Sequence, residues 1–289
     1  MEYVTLNNGL KMPMEGFGVF RVPDHKVCKE SVLEAIKAGY RLIDTAAAYQ
    51  NEEAVGEAVR EAIEQGICKR EDLFITSKLW LQDMRNEEDA KKGIQLSLDK
   101  LNIGYIDLFL LHQALGDYFA AWRAMEAAYK EGKLKAIGVS NFYPNMLTNF
   151  CEIVEIKPAV NQIELHPYFV QEDALETMKY YNVIPEAWAP LGGGRYNPFE
   201  NEMLKGIAAK YHKTVGQVIL RWNVQRGVVV IPKSTHKERI EENIDIFDFN
   251  LNDEEMKQIS SLDMGMGGTR TKHFDPDFVR MVLNNKIHD

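Results

Sequence analysis

Several stretches of this chain follow one plan: an amphipathic helix, then a glycine or asparagine, then a short β-rich run that ends on polar residues. EAIKAGYRLIDTA, EAIEQGICKREDLFITSKLW, AAYKEGKLKAIGVSNF, MKYYNVIPEAWAP and NVQRGVVVIPKS all show it. Gly39, Gly66, Gly132, Asn182 and Gly227 stand where a helix closes on a left-handed residue before the chain turns back into a strand. Strands that alternate with helices at intervals of about 30 residues indicate βαβ units and a parallel sheet.

The expected strands are Leu42–Asp44, Phe74–Lys78, Ile106–His112, Ala136–Val139, Ala159–Ile163, Ile184–Ala189 and Val228–Pro232, with one more near Glu15–Gly18. Eight such units close into a (β/α)8 barrel of ordinary size. A hairpin from Tyr3 to Met12, turning at Asn7-Asn8-Gly9, would precede it, and Asn252–Leu262 and Asp275–Asn284 read as extra helix and tail. No proline-rich or low-complexity linker divides the chain. Its 289 residues, 45% of them hydrophobic, suit one large domain, residues 1–289. An open doubly wound sheet would need a Gly-x-Gly-x-x-Gly turn after a strand. Gly16-Phe17-Gly18 continues as Val19-Phe20-Arg21, and Gly192-Gly193-Gly194 has the wrong spacing.

The net charge of -9 argues against nucleic acid or an anionic membrane as the main partner, since both select for a basic surface. A few clustered lysines and arginines still suffice for an anionic small ligand. With no signal-like opening and no long apolar run, the default expectation is a cytoplasmic protein. Cys28, Cys68 and Cys151 are too few and too scattered for a disulfide framework or a Cys-x-x-Cys site, and read as core thiols.

Barrel enzymes place their chemistry at the C-terminal ends of the strands. Applied here, that rule gathers Asp44, Lys78, His112, Ser140 with Asn141, Gln162, Trp188 and Lys233 with Ser234, while Tyr49 stands in the loop after Asp44. A phenol of pKa ~10 is a poor acid at neutral pH, but a nearby ammonium stabilises its phenolate and moves the pKa down. Lys78 can supply that charge, Asp44 can orient Lys78, and His112 can position a carbonyl oxygen against the Tyr49 hydroxyl. No activated nucleophile and no metal-ligand spacing accompanies them. The expected event is protonation of an oxygen while hydride attacks its carbon. Asn51 is expected to cap the following helix, with Glu52 and Glu53 at its positive end.

These residues sit in motifs that closely resemble the aldo-keto reductases. GYRLIDTAAAYQNEEAVG is similar to the family's first signature, DLFLLHQ to its histidine strand, GKLKAIGVSNF and NQIELHPY to its central segments, and IPKSTHKERIEEN to its cofactor signature. The resemblance runs from the hairpin to about Leu262 and implies a (β/α)8 barrel that binds NADPH without a Rossmann domain and reduces aldehydes, ketones or dicarbonyls. It implies a tetrad of Asp44, Tyr49, Lys78 and His112, with Tyr49 as proton donor. It also implies that Ser140, Asn141 and Gln162 hold the nicotinamide carboxamide, that Trp188 stacks on its ring and that Leu191 adds a cofactor contact. At the far end of the cofactor, Lys233, Ser234 and Arg239 would hold the 2′-phosphate, and Glu242 and Asn243 would contact the adenine end.

Two departures concern the substrate. Many members carry Trp-Pro after the histidine, where this chain has Gln113-Ala114, and Phe20 replaces a common pocket tryptophan. Phe20 with the retained Trp80 would form an apolar mouth. The region after Trp188 is short, as in the bacterial diketogluconate-reductase and prostaglandin-F-synthase-like branch, which implies small aldehydes, dicarbonyls or keto sugars. Gly192 to Gly194 form either a strap over the cofactor pyrophosphate or a plain mobile loop. The family default is a monomer. The competing functions are a non-catalytic NADPH-binding redox sensor and a barrel hydrolase or isomerase using Asp44 and His112.

Overall fold

The computed structural model describes residues 1–194, 196–269 and 273–289. Strands β1 (Tyr3–Thr5) and β2 (Lys11–Pro13) pair antiparallel as the expected hairpin, and Gly9 turns it with φ +89°. The remaining strands are β3 (Gly16–Gly18), β4 (Leu42–Asp44), β5 (Phe74–Leu79), β6 (Leu108–Leu111), β7 (Ile137–Ser140), β8 (Val160–Glu164), β9 (Ile184–Trp188) and β10 (Val229–Val230). Among the described residues these eight form one sheet in chain order, every neighbouring pair parallel. A parallel bridge between Glu15 and Val230 joins the two outer strands and rolls the sheet into a (β/α)8 barrel.

The helix-closing residues behave as their chemistry requires. Gly39, Gly66, Gly132, Asn182 and Gly227 all have φ between +55° and +108°. The helix Glu52–Glu64, which follows the Tyr49 loop, lies tightly against the helix Glu87–Leu101. A Cβ on Gly56 would come within 2.0 Å of the Leu101 carbonyl oxygen, so only glycine allows that approach. Arg60 Nη1 donates to the same oxygen at 2.8 Å. The contact fixes the helix whose N-terminal end carries the loop.

The expected strand Ile106–His112 is shorter at both ends. Ile106 makes an isolated bridge to Leu134, and the Asp107 carboxylate turns aside to accept from Ile75 N and Arg70 Nη2. The expected terminal helices appear as Asp253–Ser260 and Pro276–Leu283. Cys28, Cys68 and Cys151 are free and buried.

Asn51 does not cap its helix as expected. It occupies the N-cap position, but its amide donates to the carbonyls of Val19 and Val22 at 3.0 and 3.1 Å, and its Oδ1 accepts from Thr45 Oγ1 at 2.7 Å. The side chain ties the β3 and β4 loops together instead. Glu52 likewise turns inward, where it is buried and accepts from Ser77 Oγ at 2.6 Å.

Candidate active site

Period-2 alternation in the strands turns Asp44, Lys78, Gln162, Glu186 and Trp188 toward the barrel axis. Lys78 is wholly buried, a placement an ammonium tolerates only with full pairing. Its Nζ donates to Asp44 Oδ1 and Oδ2 at 2.7 and 2.8 Å and to the Thr45 carbonyl at 2.8 Å. Burial alone would lower the lysine's pKa, but the charge of Asp44 and its bonds outweigh it and the net shift is upward. The group stays an ammonium.

Tyr49 Oη lies 3.4 Å from Lys78 Nζ. From the sequence its pKa is expected to fall; the structure shows the reverse. Burial pushes it up to about 12, Lys78 works against that rise, and Asp44 adds to it. In this low-dielectric floor the desolvation of a phenolate outweighs a cation whose field Asp44 partly cancels. His112 packs beside it, ring centroids 5.6 Å apart and nearly perpendicular. Burial, then the charge of Lys78, then His273 lower the imidazole pKa well below the usual value, so His112 is neutral at physiological pH.

A second network holds the floor. Gln162 Nε2 donates to Asp44 Oδ2 and to Glu186 Oε2, each at 2.9 Å, so both amide hydrogens are used and only its carbonyl oxygen is left to act as an acceptor. Asn141, held in the left-handed region at φ +63°, donates to the His112 carbonyl and to Ser140 Oγ at 3.0 Å and accepts from Trp188 Nε1 at 2.9 Å. Ser140 Oγ donates to the Gln162 carbonyl at 2.8 Å. Ser140 and Asn141 thereby lock the Trp188 indole in place.

Above this floor lies a cavity of about 860 Å³. Asp44, Tyr49, His112, Gln113, Ser140, Asn141, Gln162, Trp188, Leu191 and Lys233 all line it, with Phe20 at the rim, 50% exposed and 4.9 Å from the Tyr49 ring. Trp80 is placed differently from expectation. It is buried behind His112, the ring centroids 5.1 Å apart, and its Nε1 donates to the Asn285 carbonyl at 2.7 Å, so it backs the histidine instead of forming the mouth. Gly193 lines the cavity, whereas Ser234, Arg239, Glu242 and Asn243 lie beyond it, Ser234 and Arg239 around the start of the helix Lys237–Ile244 and Glu242 and Asn243 in its last turn. Ser234 Oγ accepts from His236 N at 3.0 Å and Glu242 Oε1 accepts from Thr214 Oγ1 at 2.8 Å. Among the described residues, Lys233 and Arg239 have no carboxylate within salt-bridge reach, while Lys237 between them faces Glu34 and Glu241.

Sequence reasoning missed Glu186, His273, Phe278 and Met281, the last three being cavity-lining residues from the tail region. Glu186 had a usable signal: it is two residues before Trp188 on one strand, and therefore on the same face. The tail residues carried none.

The model of the Aldo/keto reductase family matches residues 16–264. The chain belongs to the aldo/keto reductase family. The glyoxal reductase of Bacillus subtilis is 48% identical over 260 residues, covering 90% of this chain and 92% of the relative. An uncharacterized oxidoreductase of the same organism, YtbE, is 46% identical over 259 residues, 89% of this chain and 91% of its own length. Among solved structures, the Bombyx mori aldo-keto reductase in complex with NADP superposes with a TM-score of 0.88 at 35% identity, covering 96% of this chain and 95% of that one. An aldo/keto reductase from Brucella melitensis gives a TM-score of 0.85 at 41% identity, covering 91% and 99%. As an aldo/keto reductase, this chain is an NAD(P)-dependent oxidoreductase.

Proposed function

We propose that this aldo/keto reductase uses NADPH to reduce small aldehydes, ketones and dicarbonyls to alcohols, with Tyr49 as the proton donor. The observation that carries the reading is the gathering of Tyr49, Lys78, Asp44 and His112 under one cavity at the C-terminal end of the barrel. The kinship with a glyoxal reductase supports small dicarbonyls as substrates. When bound, NADPH supplies the hydride.

The chain's own part is proton placement and electrostatics. Burial keeps Tyr49 protonated, so the phenol is loaded when a carbonyl oxygen arrives. Neutral His112 shares a hydrogen bond with that oxygen without adding charge. As negative charge develops on the oxygen the Tyr49 proton moves to it, and the Lys78 ammonium stabilises the phenolate left behind.

The residues fit the cofactor. Gln162 has only acceptor capacity left and suits the NH2 of a carboxamide; Trp188 offers a fixed ring face; Leu191 flanks it. Ser140 and Asn141 act on that end chiefly by holding Trp188. Lys233 and Arg239 are exposed cations that suit the 2′-phosphate, with Ser234 beside them, and Glu242 and Asn243 suit the adenine end. Phe20 and Gln113 would face the substrate, and Trp80 would act through His112. The reading takes the protein as a cytoplasmic monomer without nucleic-acid partners, in keeping with its net charge of -9.

The test is NADPH oxidation with methylglyoxal, phenylglyoxal and a nitrobenzaldehyde. Wild type should turn these over, and Tyr49→Phe should lose about 10²- to 10⁴-fold, the usual range for a general acid. Equal turnover by the variant would remove Tyr49 from the mechanism.

A further inference from the structure

Phe20 and Arg21 are the two central residues of a turn that opens onto the cavity. The Val22 amide donates to the Val19 carbonyl at 3.2 Å, and both central residues line the cavity wall. Arg21 stands in the left-handed region at φ +62°, where a turn of this kind normally carries glycine. A residue with a side chain is costly there, and it persists only where surrounding contacts hold it.

Asn51 supplies those contacts. Its Nδ2 donates to the carbonyls at both ends of the turn, Val19 at 3.0 Å and Val22 at 3.1 Å, and its Oδ1 accepts from Thr45 Oγ1 at 2.7 Å. Carbonyls can only accept, so a single orientation of the amide satisfies all three partners. The side chain is buried and does not line the cavity, so it acts on an occupant only through what it holds. What it holds is the rim. Asn51 follows Tyr49 by two residues, and Phe20, on the turn it clips, packs on the Tyr49 ring with centroids 4.9 Å apart, while the Arg21 guanidinium lies 5.4 Å over the Phe20 ring.

Resting on the reading of this cavity as the carbonyl site, we propose that Asn51 is a positioning residue of that site: by fixing both ends of the Val19–Val22 turn it sets Phe20 against Tyr49, and so decides how well a bulky group beside the reacting carbonyl is held. The carbonyl oxygen is taken at Tyr49, so an aromatic or branched group beside it meets the Phe20 face. A methyl group offers that face little area.

Phenylglyoxal and methylglyoxal differ by a phenyl in place of a methyl, and the ratio of their kcat/KM values with NADPH does not depend on how much of a variant is folded. Asn51→Ala should lower the phenylglyoxal-to-methylglyoxal ratio about threefold or more, in the range of an aromatic contact. Phe20→Ala should lower it at least as far. Adding Asn51→Ala to Phe20→Ala should then leave the ratio unchanged, because the residue through which Asn51 acts is gone. Equal falls in both backgrounds, or no fall in either, would overturn the assignment. Asn51→Ser, whose hydroxyl can serve one carbonyl only, is the milder second variant and should move the ratio in the same direction. If neither variant unfolds cooperatively in urea, Asn51 is a residue the fold itself depends on, and the assignment is overturned as well. A readout without substrate separates this proposal from the reading beneath it: hydrogen exchange at the Val22 amide should speed about tenfold or more in Asn51→Ala. Unchanged exchange would overturn the role of Asn51 alone. Absence of NADPH oxidation by wild type with any carbonyl would instead overturn the reading of the cavity as a carbonyl site, and this proposal with it.

Discussion

The Lys78 ammonium stands 3.4 Å from the Tyr49 hydroxyl, farther than from any of its three acceptors, Asp44 Oδ1, Asp44 Oδ2 and the Thr45 carbonyl, at 2.7 to 2.8 Å. Three donors are matched by three acceptors. Lys78 therefore acts on Tyr49 as a fixed charge more than as a hydrogen-bond donor. At that distance an ammonium–phenolate pair is worth about 4–5 kcal/mol for an effective dielectric of about 20. The stabilisation exists only once the phenol has given up its proton, so it favours the transition state over the resting protein.

Lys78→Met should therefore remove activity and stability together. The variant leaves the Asp44 carboxylate buried beside Gln162 with no countercharge, a change that typically costs about 3–5 kcal/mol. Adding Asp44→Asn removes the stranded charge. Urea unfolding should show the double variant more stable than Lys78→Met alone, while NADPH-dependent carbonyl reduction stays lost in both. A double variant no more stable than the single one would show that the ion pair is not what the buried site depends on.

How much of this was legible beforehand depends on whether a feature is local. The left-handed residues and short β-rich runs are local, so the eight strands and their closing glycines could be read from the chain, and the strand-end rule collected Asp44, Lys78, His112 and Gln162. Tyr49's raised pKa was not legible, because it depends on how deeply the hydroxyl is buried and on the Asp44 charge behind Lys78. Asn51 looked like a cap because its position is one; its amide serves Val19 and Val22, about thirty residues away in the chain, and only the assembled barrel brings them within reach. His273 and Met281 reach the cavity from a tail whose path no periodicity encodes.

Glu186 gives a pH prediction. Burial first, and the Asp44 charge second, push its carboxyl up to about 8, against a usual 4.5. The folded state thus binds this proton more tightly than the unfolded chain does. The stability it contributes is fully present below the unfolded pKa and is lost as pH rises through about 8. Glu186→Gln keeps an acceptor for Gln162 and cannot ionise. Between about pH 5 and pH 8.5, wild type should lose more stability in urea unfolding than the variant does. Parallel stability–pH curves would show that Glu186 ionises normally.

Arg239→Ala should separate the two nicotinamide cofactors. Arg239 is exposed, and among the described residues no carboxylate competes for it. Charge-assisted bonds to a phosphate are worth about 1.5–3 kcal/mol, so NADPH should bind roughly tenfold to a hundredfold more weakly, measured by quenching of tryptophan fluorescence, while NADH binding changes little. Equal weakening of both would place the 2′-phosphate elsewhere.

The last prediction concerns the segment Asn285–Asp289, which lies against the turn that follows β5. Gln82 Oε1 accepts from Ile287 N at 2.8 Å, Gln82 Nε2 donates to the His288 carbonyl at 2.7 Å, and His288 Nε2 sits 2.9 and 3.0 Å from the Asp83 oxygens. Trp80, which backs His112, donates to Asn285 in the same segment. Burial lowers the His288 pKa, but the bond to Asp83, the bond to the Asp289 backbone and the Asp83 charge together outweigh it, and the net shift is upward. The pair's contribution is therefore full below the ordinary histidine pKa and is lost as pH rises through the elevated one. At pH 6, His288→Ala should speed hydrogen exchange at the Ile287 amide by about tenfold or more relative to wild type, as expected for loss of a charge-assisted bond. At pH 9 the two proteins should exchange at similar rates. Equal protection at pH 6 would show that the bonds from Gln82, Trp80 and Gln50 hold the segment and that His288 contributes nothing to it.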